Sequence, residues 1–571
     1  MEARHPTRVG GPKIDRLAVA AELREIGARL RLSGENPFRA RAYETGADAV
    51  ENLSDAQLAR RLAAGTLIEV PGIGAALASV ISEIAERGES QLAARLRAAA
   101  PAAVLELAQV RGISPERARR LHEALGVAGI DDLEAAARAG RVRTVKGFGP
   151  KSEAAVLSAI AAYRESTAAV RLIDARDAAA ALAGFVRRLP RVTSADVAGP
   201  VRRWQEAVDE LAVVAAVPDP ADVSRALDRA ARWAPLARVE ARAADHLVGR
   251  LADGVRVRVR IVPESRRGLA LVEETGPQAH VERLQARARD CGADWSTWEA
   301  RDEAALYQRL GWPEVPPEAR EWFTPGDPLD DLITAADIRG AVHCHTDQSD
   351  GRHTLEQMAR AADARGLRYL TVTDHSPTAS YAGGLTVDRL RAQWDEIARV
   401  QERVRVRLLR GTESDILADG ALDYPDAVLE QLDVIIASIH GRYRMDGPAM
   451  TRRLLAAMRL PVFKIWGHPL GQLVLRRPPI ACDVEAVLDA VASSRAAIEI
   501  SGDPYRLDLP PAWIPAARRR GIKFVISTDA HATGDLDNLA YGVAMARRGG
   551  VRRAEVLNAL PAAGFRAAVH P

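Results

Sequence analysis

The segment "AVHCHTDQSDG", residues 341–351, combines two histidines with nearby acidic residues. If it is a strand, its period of two puts His343 and His345 on one face and Cys344 on the other. Two imidazoles could then share one metal ion, with Cys344 packed in the core and Asp350 in the turn that follows. The segment therefore predicts the beginning of a metal site.

Similar residues recur after apolar runs further along the chain, and they bring the candidate ligands to nine: His343, His345, Asp350, His375, Glu413, His440, His468, Asp529 and His531. Six of the chain's 12 histidines belong to this set. A single histidine is more often a hydrogen-bonded core residue, but a repeated pattern favours a metal centre. Imidazole and carboxylate ligands suit Zn²⁺, Mn²⁺ or Fe²⁺, and the lack of thiolates argues against a purely structural zinc site.

Several such ions together can activate water and stabilise the entering and leaving oxygens of a phosphate ester. The predicted chemistry is metal-assisted phosphoester hydrolysis, with Glu413, Asp529, His343 and His345 as the catalytic ligands. Arg442, in "HGRY", is either a phosphate clamp or an exposed arginine.

The elements that must position these residues are short apolar strands alternating with helices, such as "RYLTVTDH" and "KFVISTDAH". This alternation predicts a parallel sheet, open or closed into a barrel, with its active site at the carboxyl ends of the strands. "FTPGDPLDD", residues 323–331, is the predicted linker before it. Upstream, "LAVVAAV" and "VRVRVRIV" predict strands among helices, and residues 14–163 are predicted to be helical.

Three stretches of the helical region share one form: "VPGIGAAL", "VRGISPER" and "VKGFGPKS". A glycine turn before a helix exposes backbone N–H groups that suit a phosphate oxygen. Repeated between helices, the form resembles helix-hairpin-helix motifs, which bind the DNA backbone; Ser114 replaces a glycine in the second copy. The predicted DNA-binding residues are Gly72, Gly74, Gly112, Gly147, Gly149, Lys146 and Lys151.

The bulk properties of the 571-residue chain predict several domains. A net charge of +3 does not by itself indicate a nucleic-acid-binding protein. Three dispersed cysteines predict a reducing compartment without disulfides. No membrane span or signal peptide is predicted, so the sequence favours a cytoplasmic protein, which we expect to be a monomer.

Residues 338–571 resemble a PHP (polymerase and histidinol phosphatase) domain through all nine candidate ligands. The resemblance implies a distorted (β/α)₇ barrel with a trinuclear metal centre. It implies that one ion is held by His343, His345, Glu413 and Asp529, and that Glu413 bridges to a second ion on His440 and His468. Asp350, His375 and His531 would hold the third ion.

"GENPFRARAYETGADAVENL" followed by "IEVPGIG" is similar to the N-terminal domain of bacterial family X DNA polymerases. That family continues with helix-hairpin-helix fingers, an α+β nucleotidyltransferase palm and a PHP domain. The implied domains are residues 1–97 (helical), 98–166 (fingers), 167–322 (palm and thumb), 323–337 (linker) and 338–571 (PHP). Val80 stands where some relatives carry a lyase lysine, so no Schiff-base chemistry is expected.

The palm departs from the family pattern of clustered carboxylates that hold two Mg²⁺. Glu210 and Ala212 occupy the paired positions, or Asp209 and Leu211 if the alignment shifts by one residue, and Arg258 occupies the third. Pro200 and the pair Glu273-Glu274 also depart from the pattern. We therefore expect a palm that keeps its fold as a scaffold for DNA and has lost nucleotidyl transfer. Its arginines either touch phosphates or form a solvated face: Arg202, Arg203, Arg256, Arg258 and Arg260.

The predicted function is a metal-dependent phosphoesterase acting on DNA, a 3′–5′ exonuclease or 3′-end processing enzyme in repair, with three Mn²⁺ or Zn²⁺ ions (Fe²⁺ as a third option). Three alternatives stay open. They are a small-phosphomonoester phosphatase resembling histidinol phosphatase, a non-catalytic DNA-binding repair adaptor, and residual DNA polymerase activity through Asp209 or Glu210.

Overall fold

The computed structural model describes residues 16–32, 37–51, 53, 55–70, 72–99, 104, 107–108, 110, 112–165, 169–251, 254–443 and 445–570. The chain divides into two compact units, Met1–Thr167 and Ala168–Pro571. We describe each unit by itself.

The first unit is helical, as predicted. Its α-helices are Arg16–Leu32, Pro37–Glu51, Asp55–Ala64, Ala75–Arg87, Gln91–Ala99, Pro115–Leu125, Ile130–Arg138 and Pro150–Glu165. Two separate hydrophobic clusters hold them together, one centred on Leu23 and Ile81 and the other on Leu121 and Leu133. Each cluster includes the apolar residues on either side of the first glycine in one or two of the glycine turns.

The three glycine turns have the same backbone geometry. Gly72, Gly112 and Gly147 have φ of +89°, +87° and +89°, which glycine adopts without strain. In the first turn, Ile73 is buried and its N–H donates to the carbonyl of Val70 over 3.0 Å. The turns therefore bury the residue after the glycine and start a helix two residues later.

The second unit begins with the palm, whose main sheet has the strand order β2-β4-β7-β6-β5. The strands are β1 Val170–Arg171, β2 Ser194–Ala198, β3 Ala207–Val208, β4 Glu210–Val217, β5 Leu236–Arg242, β6 His246–Leu251 and β7 Arg256–Pro263. The helices are Leu172–Arg187, Gly199–Arg202, Asp222–Ala230, Arg267–Thr275, Gln278–Asp290 and Glu303–Leu310. The predicted strands "LAVVAAV" and "VRVRVRIV" are confirmed as β4 and β7, which pair in parallel.

Seven parallel strands follow in chain order, from β8 at one edge of the sheet to β14 at the other. They are β8 Gly340–Ala341, β9 Tyr369–Val372, β10 Arg407–Asp415, β11 Val434–Ser438, β12 Lys464–Trp466, β13 Ala496–Ser501 and β14 Phe524–Ser527. The α-helices of this region are Leu355–Ala364, Val387–Gln401, Asp426–Leu429, Gly447–Met458, Val484–Ala492, Ile514–Arg519, Leu539–Arg548 and Ala562–Val569. The predicted architecture of helical region, palm and seven-stranded barrel is confirmed.

The barrel is filled on both sides of its sheet, which explains why its strands are apolar throughout. Tyr369, Leu409 and Ile436 belong to the inner cluster. Phe565, on the C-terminal helix, stacks on Tyr369 with ring centroids 4.9 Å apart and joins this inner cluster. Alternate residues such as Leu370 pack outward against the helices.

Two contacts bring the first and last strands of the barrel together. Beyond the strand ends, the N–H of His345 donates to the carbonyl of Ala530 over 2.8 Å. Nearer the start of β8, the buried Asn558 amide donates to the carbonyls of Gly340 (3.1 Å) and Ile526 (2.7 Å) and accepts from the N–H of Ile526 (3.0 Å). One side chain thus satisfies backbone groups of both β8 and β14.

The segment predicted as a linker, residues 323–337, holds a short 3₁₀ turn, Ala335–Asp337, and no α-helix or strand. It is packed rather than free, because Phe323 and Leu332 are buried. The palm also contacts the barrel directly, since Trp204 meets Tyr541 edge-on at 5.4 Å. Within the described residues, no helix is long and apolar enough to cross a membrane.

We expect Asn558→Ala to destabilise the second unit by about 2–4 kcal/mol, because it leaves buried backbone groups of two strands unsatisfied. Thermal unfolding of the full chain followed by circular dichroism measures this. Asn538→Ala, at a partly exposed site, is the matched control. Equal unfolding midpoints for the two variants would contradict a closing role for Asn558.

Candidate metal centre

The nine predicted ligands lie together at the carboxyl ends of the barrel strands. Glu413 is within β10, and most of the others follow their strands by two or three residues. For example, His343, His440 and His468 each come two residues after a strand end, and so does Asp529. The structure therefore brings the nine candidate ligands together at one end of the barrel.

The local geometry predicted for the first two histidines is wrong. Strand β8 ends at Ala341, and His343 has a φ of +66°, so the period of two does not apply. His343 and His345 still face the same centre because the backbone bends between them; Cys344 is buried, as predicted. His468 and Asp529 also have positive φ, +27° and +50°. Such backbone strain in residues that carry side chains is typical of functional sites.

Glu413 is the central group of the cluster, since five imidazoles surround its carboxylate. The nitrogen–oxygen distances are 3.2 Å to His343, 3.6 Å to His345, 3.0 Å to His375, 3.2 Å to His440 and 2.9 Å to His468. Glu413 is 1% exposed, so its charge is balanced by these neighbours and not by water.

Two further carboxylates complete the cluster. One oxygen of Asp529 lies 3.4 Å from His343 and 3.2 Å from His345. Asp350 lies 3.4 Å from His375 and 3.3 Å from His531. The cluster therefore spans from Glu413 at one side to Asp350 at the other.

The residues fit a set of divalent cations, because several of their buried polar atoms have no hydrogen-bond partner. These atoms are His343 Nε2, both ring nitrogens of His345, His375 Nδ1, Glu413 Oε2, His468 Nδ1 and Asp529 Oδ1. Such orphaned atoms are rare in folded proteins unless an ion or water occupies the site.

The ligand atoms fall into four overlapping groups, in each of which they lie within 4.8 Å of one another. The groups are His343/His345/Asp529, His343/Glu413/His468, His375/Glu413/His440 and His345/Asp350/His375/His531. They differ from the three predicted ligand sets at three points. Glu413 is not in the group of His343, His345 and Asp529, His345 also joins the group of Asp350, and His440 and His468 fall in separate groups around Glu413.

Electrostatics favour the charged forms of Glu413, His343 and His375. Burial alone would lower the pKa of His343, but the carboxylates around it, led by Glu499, raise that pKa well above its usual value. Burial likewise opposes ionisation of Glu413, yet the surrounding imidazoles keep its pKa well below the usual range. Burial lowers and Glu413 raises the pKa of His375, with a net rise to about 10, while burial lowers that of His468 to about 4. Cations entering the site would displace protons from the imidazoles.

The sequence reasoning missed a second layer of residues that orient the ligands. Glu499, fully buried on β13, accepts a hydrogen bond from His343 Nδ1 over 2.7 Å and one from the N–H of His468 over 2.5 Å. Asp415 lies 3.3 Å from His440 Nδ1. A charged residue inside the apolar strand "AAIEISG" was the available signal for Glu499.

Arg506 and Arg442 differ in their relation to the cluster. The Nε atom of Arg506 lies 3.3 Å from Asp529, so this arginine contacts a candidate ligand although the sequence did not suggest it. Arg442 is exposed in the loop after His440. The structure gives it no contact with the nine candidate ligands among its described hydrogen bonds and ion pairs.

In the first unit, the predicted DNA-binding glycines are at the surface, and so are the two lysines. Gly72, Gly74, Lys146 and Lys151 are exposed. In the second copy, the hydroxyl of Ser114 accepts a hydrogen bond from the N–H of Arg117 over 3.3 Å. That N–H group is therefore already engaged, as the departure of this copy from the glycine pattern suggested.

Models of known protein families match three parts of the chain. A helix-hairpin-helix domain matches residues 15–90, a SAM-like helix-hairpin-helix tandem matches residues 104–162, and a PHP domain matches residues 341–501. The PHP match covers β8 to β13 and therefore most of the candidate ligands.

A curated relative decides the family. The DNA polymerase/3′–5′ exonuclease PolX of Bacillus subtilis is 30% identical over 94% of this chain and 96% of its own length. The chain belongs to the bacterial PolX family. Shorter relatives match one part of this PolX chain. A probable phosphatase of a Thermoanaerobacter species is 27% identical over 38% of this chain and 89% of its own, and one of Caldanaerobacter subterraneus is 28% identical over 34% and 77%.

At the positions expected to match the metal site of a PolX palm, the structure has an ion-pair network. Ala212 pairs with Arg258 across β4 and β7. Arg258 Nε lies 3.3 Å from Glu210 and 3.6 Å from Glu274. Arg260 bonds to Glu273 over 2.7 Å. Arg258 and Arg260 are thus each paired with carboxylates of the palm.

The other three palm arginines are also paired with carboxylates. Arg202 is paired with the buried Glu303 over 2.5 Å, and Arg203 lies 3.7 Å from Glu321. Arg256, at the solvent end of β7, lies 3.5 Å from Glu210. The palm of this PolX chain is thus stabilised by its own charges.

We expect Glu499→Gln to lower metal affinity by about 10- to 100-fold, because Glu499 fixes the ring of His343 and the backbone of His468. Elemental analysis after dialysis, and competition with a chelating dye, measure this. Glu485→Gln makes the same change at an exposed ion pair with Arg520 and should leave metal content unchanged. Retention of metal equal to that of the parent would disprove the orienting role.

Proposed function

We propose that this chain is a metal-dependent phosphoesterase acting on DNA, with 3′–5′ exonuclease or 3′-end processing activity in repair. The observation that carries the proposal is the cluster of nine candidate ligands, six of them buried, with orphaned polar atoms. Its place in a chain similar to a DNA polymerase/3′–5′ exonuclease over 94% of the length supports DNA as the substrate.

The proposed roles follow the geometry of the ligands. Three divalent ions, Mn²⁺ or Zn²⁺ with Fe²⁺ as a third option, would be held by the three ligand sets named above, with Glu413 shared between two of them. Bound ions of this kind activate water and stabilise charge on phosphate oxygens. The ligands proposed to act in catalysis are Glu413, Asp529, His343 and His345. Arg442 stays an exposed residue in this proposal.

DNA would be bound through the glycine turns of the first unit. Gly72, Gly74 and Gly147 are exposed and Gly149 is partly buried, and all four precede helices, so free backbone N–H groups can meet phosphate oxygens. Lys146 and Lys151 add positive charge beside the third turn. Gly112 would contribute less, because Ser114 engages a helix N–H group.

We also propose that the palm, within domain limits of 167–322, no longer transfers nucleotides and serves as a scaffold. Glu210 is the one carboxylate left at the three metal positions, and it is neutralised by Arg258. The contacts of Trp204 and Glu206 with the barrel support a structural role for the palm. The other domain limits, and a cytoplasmic monomer, stay predictions.

We expect His343→Ala and Glu413→Ala each to reduce release of 3′-terminal nucleotides by more than about 1,000-fold, since each removes a ligand shared by adjoining groups. The assay uses 3′-labelled single-stranded and gapped DNA with and without Mn²⁺. DNA affinity in gel shifts should be nearly unchanged, because the proposed binding surface is elsewhere in the chain.

His246→Ala, which changes a histidine of the palm, is the control and should digest DNA like the parent. A parallel assay with a small phosphomonoester tests the second candidate, which the similarity to probable phosphatases favours. Digestion of DNA by both ligand variants at the parental rate would show that the cluster is not the catalyst.

We expect no primer extension with Mg²⁺ or Mn²⁺, because Ala212 and Arg258 cannot hold the ions that the incoming triphosphate needs. The His343→Ala background prevents degradation of the primer from masking extension. The Bacillus subtilis PolX provides the positive control. Extension at a comparable rate would instead support residual polymerase activity through Asp209 or Glu210.

A further inference from the structure

An exposed tyrosine stands at the edge of the candidate metal centre. Tyr381 is 71% exposed, and it is the one aromatic among the exposed large hydrophobic residues in the described part of the chain. Its ring centroid lies 6.2 Å from that of His375 and 6.5 Å from that of His440. The ring therefore adjoins the ligand group His375/Glu413/His440.

The turn that carries Tyr381 is fixed at several points. Ala379 and Ala382 are buried on either side of it. The backbone N–H and the hydroxyl of Thr378 each donate to Asp423 over 2.6 Å. After the turn, the N–H of Leu385 donates to the carbonyl of His375 over 2.8 Å. The chain thus buries the neighbours of Tyr381 and holds this one ring toward solvent.

A close backbone approach fixes the turn further. A Cβ atom at Gly384 would lie 2.0 Å from the carbonyl oxygen of Ser376, so only glycine fits there. The tyrosine is consequently presented by a rigid segment next to a ligand, His375. A rigid aromatic surface loses little conformational entropy when it binds a planar partner.

We propose that Tyr381 forms a subsite for a nucleobase, on which the base of the 3′-terminal nucleotide stacks while its phosphate lies at the metal cluster. This inference rests on the proposed function and specifies how that site recognises its substrate. Stacking on an aromatic side chain tolerates any base, which suits a nuclease without sequence preference. His375 and His440, whose ring centroids lie within 6.5 Å of that of Tyr381, belong to the cluster, so a stacked base would place its own backbone beside the ligands.

The test compares two single-stranded oligonucleotides that differ only in the 3′-terminal residue, a normal nucleotide or an abasic tetrahydrofuran analogue. We expect the parent to prefer the normal end by about 5- to 100-fold in kcat/KM. Tyr381→Ala and Tyr381→Leu should lose this preference and cut the abasic end like the parent, whereas Tyr381→Phe should keep it. Leu560→Ala, at another exposed apolar residue, should behave like the parent.

A second measurement does not depend on catalysis. In chelator-treated protein, 2-aminopurine at the 3′ end should be quenched by the parent and by Tyr381→Phe, and less by the Ala and Leu variants. Equal cleavage of both ends by the parent would overturn the inference. Equal loss on both ends in Tyr381→Ala would also overturn it, because the ring would then support the histidines. If the parent cuts neither substrate, the proposed function fails, and the quenching alone decides on the subsite.

Discussion

The burial of Glu413 among five imidazoles is the interaction on which the second unit depends. A carboxylate that is 1% exposed is costly without compensating charge, and so are the orphaned nitrogens around it. The barrel surrounds the ligands with residues that orient them, and Glu499 is the clearest example. It also holds His343, His468 and Asp529 in backbone conformations that residues with side chains rarely adopt. The surrounding structure must be rigid to keep them there, and the closure of the barrel through Asn558 and Ala530 provides part of that rigidity.

In the palm, carboxylates are paired with arginines rather than grouped with imidazoles. A metal-binding palm needs carboxylates that are free to meet cations, whereas here Arg258 and Arg260 neutralise Glu210, Glu273 and Glu274 directly. The positive residues are matched by negative ones at contact distance. This network contributes to the stability of the sheet.

Much of the fold was predictable from local patterns. The barrel strands are short apolar runs between helices, and most of them end near a candidate ligand, so strand positions and ligand positions supported each other. The glycine turns were predictable for a similar reason, since only glycine accepts the φ near +89° that Gly72, Gly112 and Gly147 share. The backbone bend at His343 was not predictable, because the conformation after a strand end depends on contacts with the neighbouring loop. The pairing of the palm arginines was missed because ion pairs between distant segments leave no periodic signal.

The sequence by itself determined the helical, palm and barrel regions, the nine ligand types and their positions at strand ends, since these follow from residue chemistry and short-range periodicity. The tertiary structure alone decided how the ligands divide into groups around Glu413, and which residues orient them. It also decided that Tyr381 faces solvent beside His375. The physical reason is that such relations join residues far apart in the chain, and their geometry depends on the packing of the whole barrel.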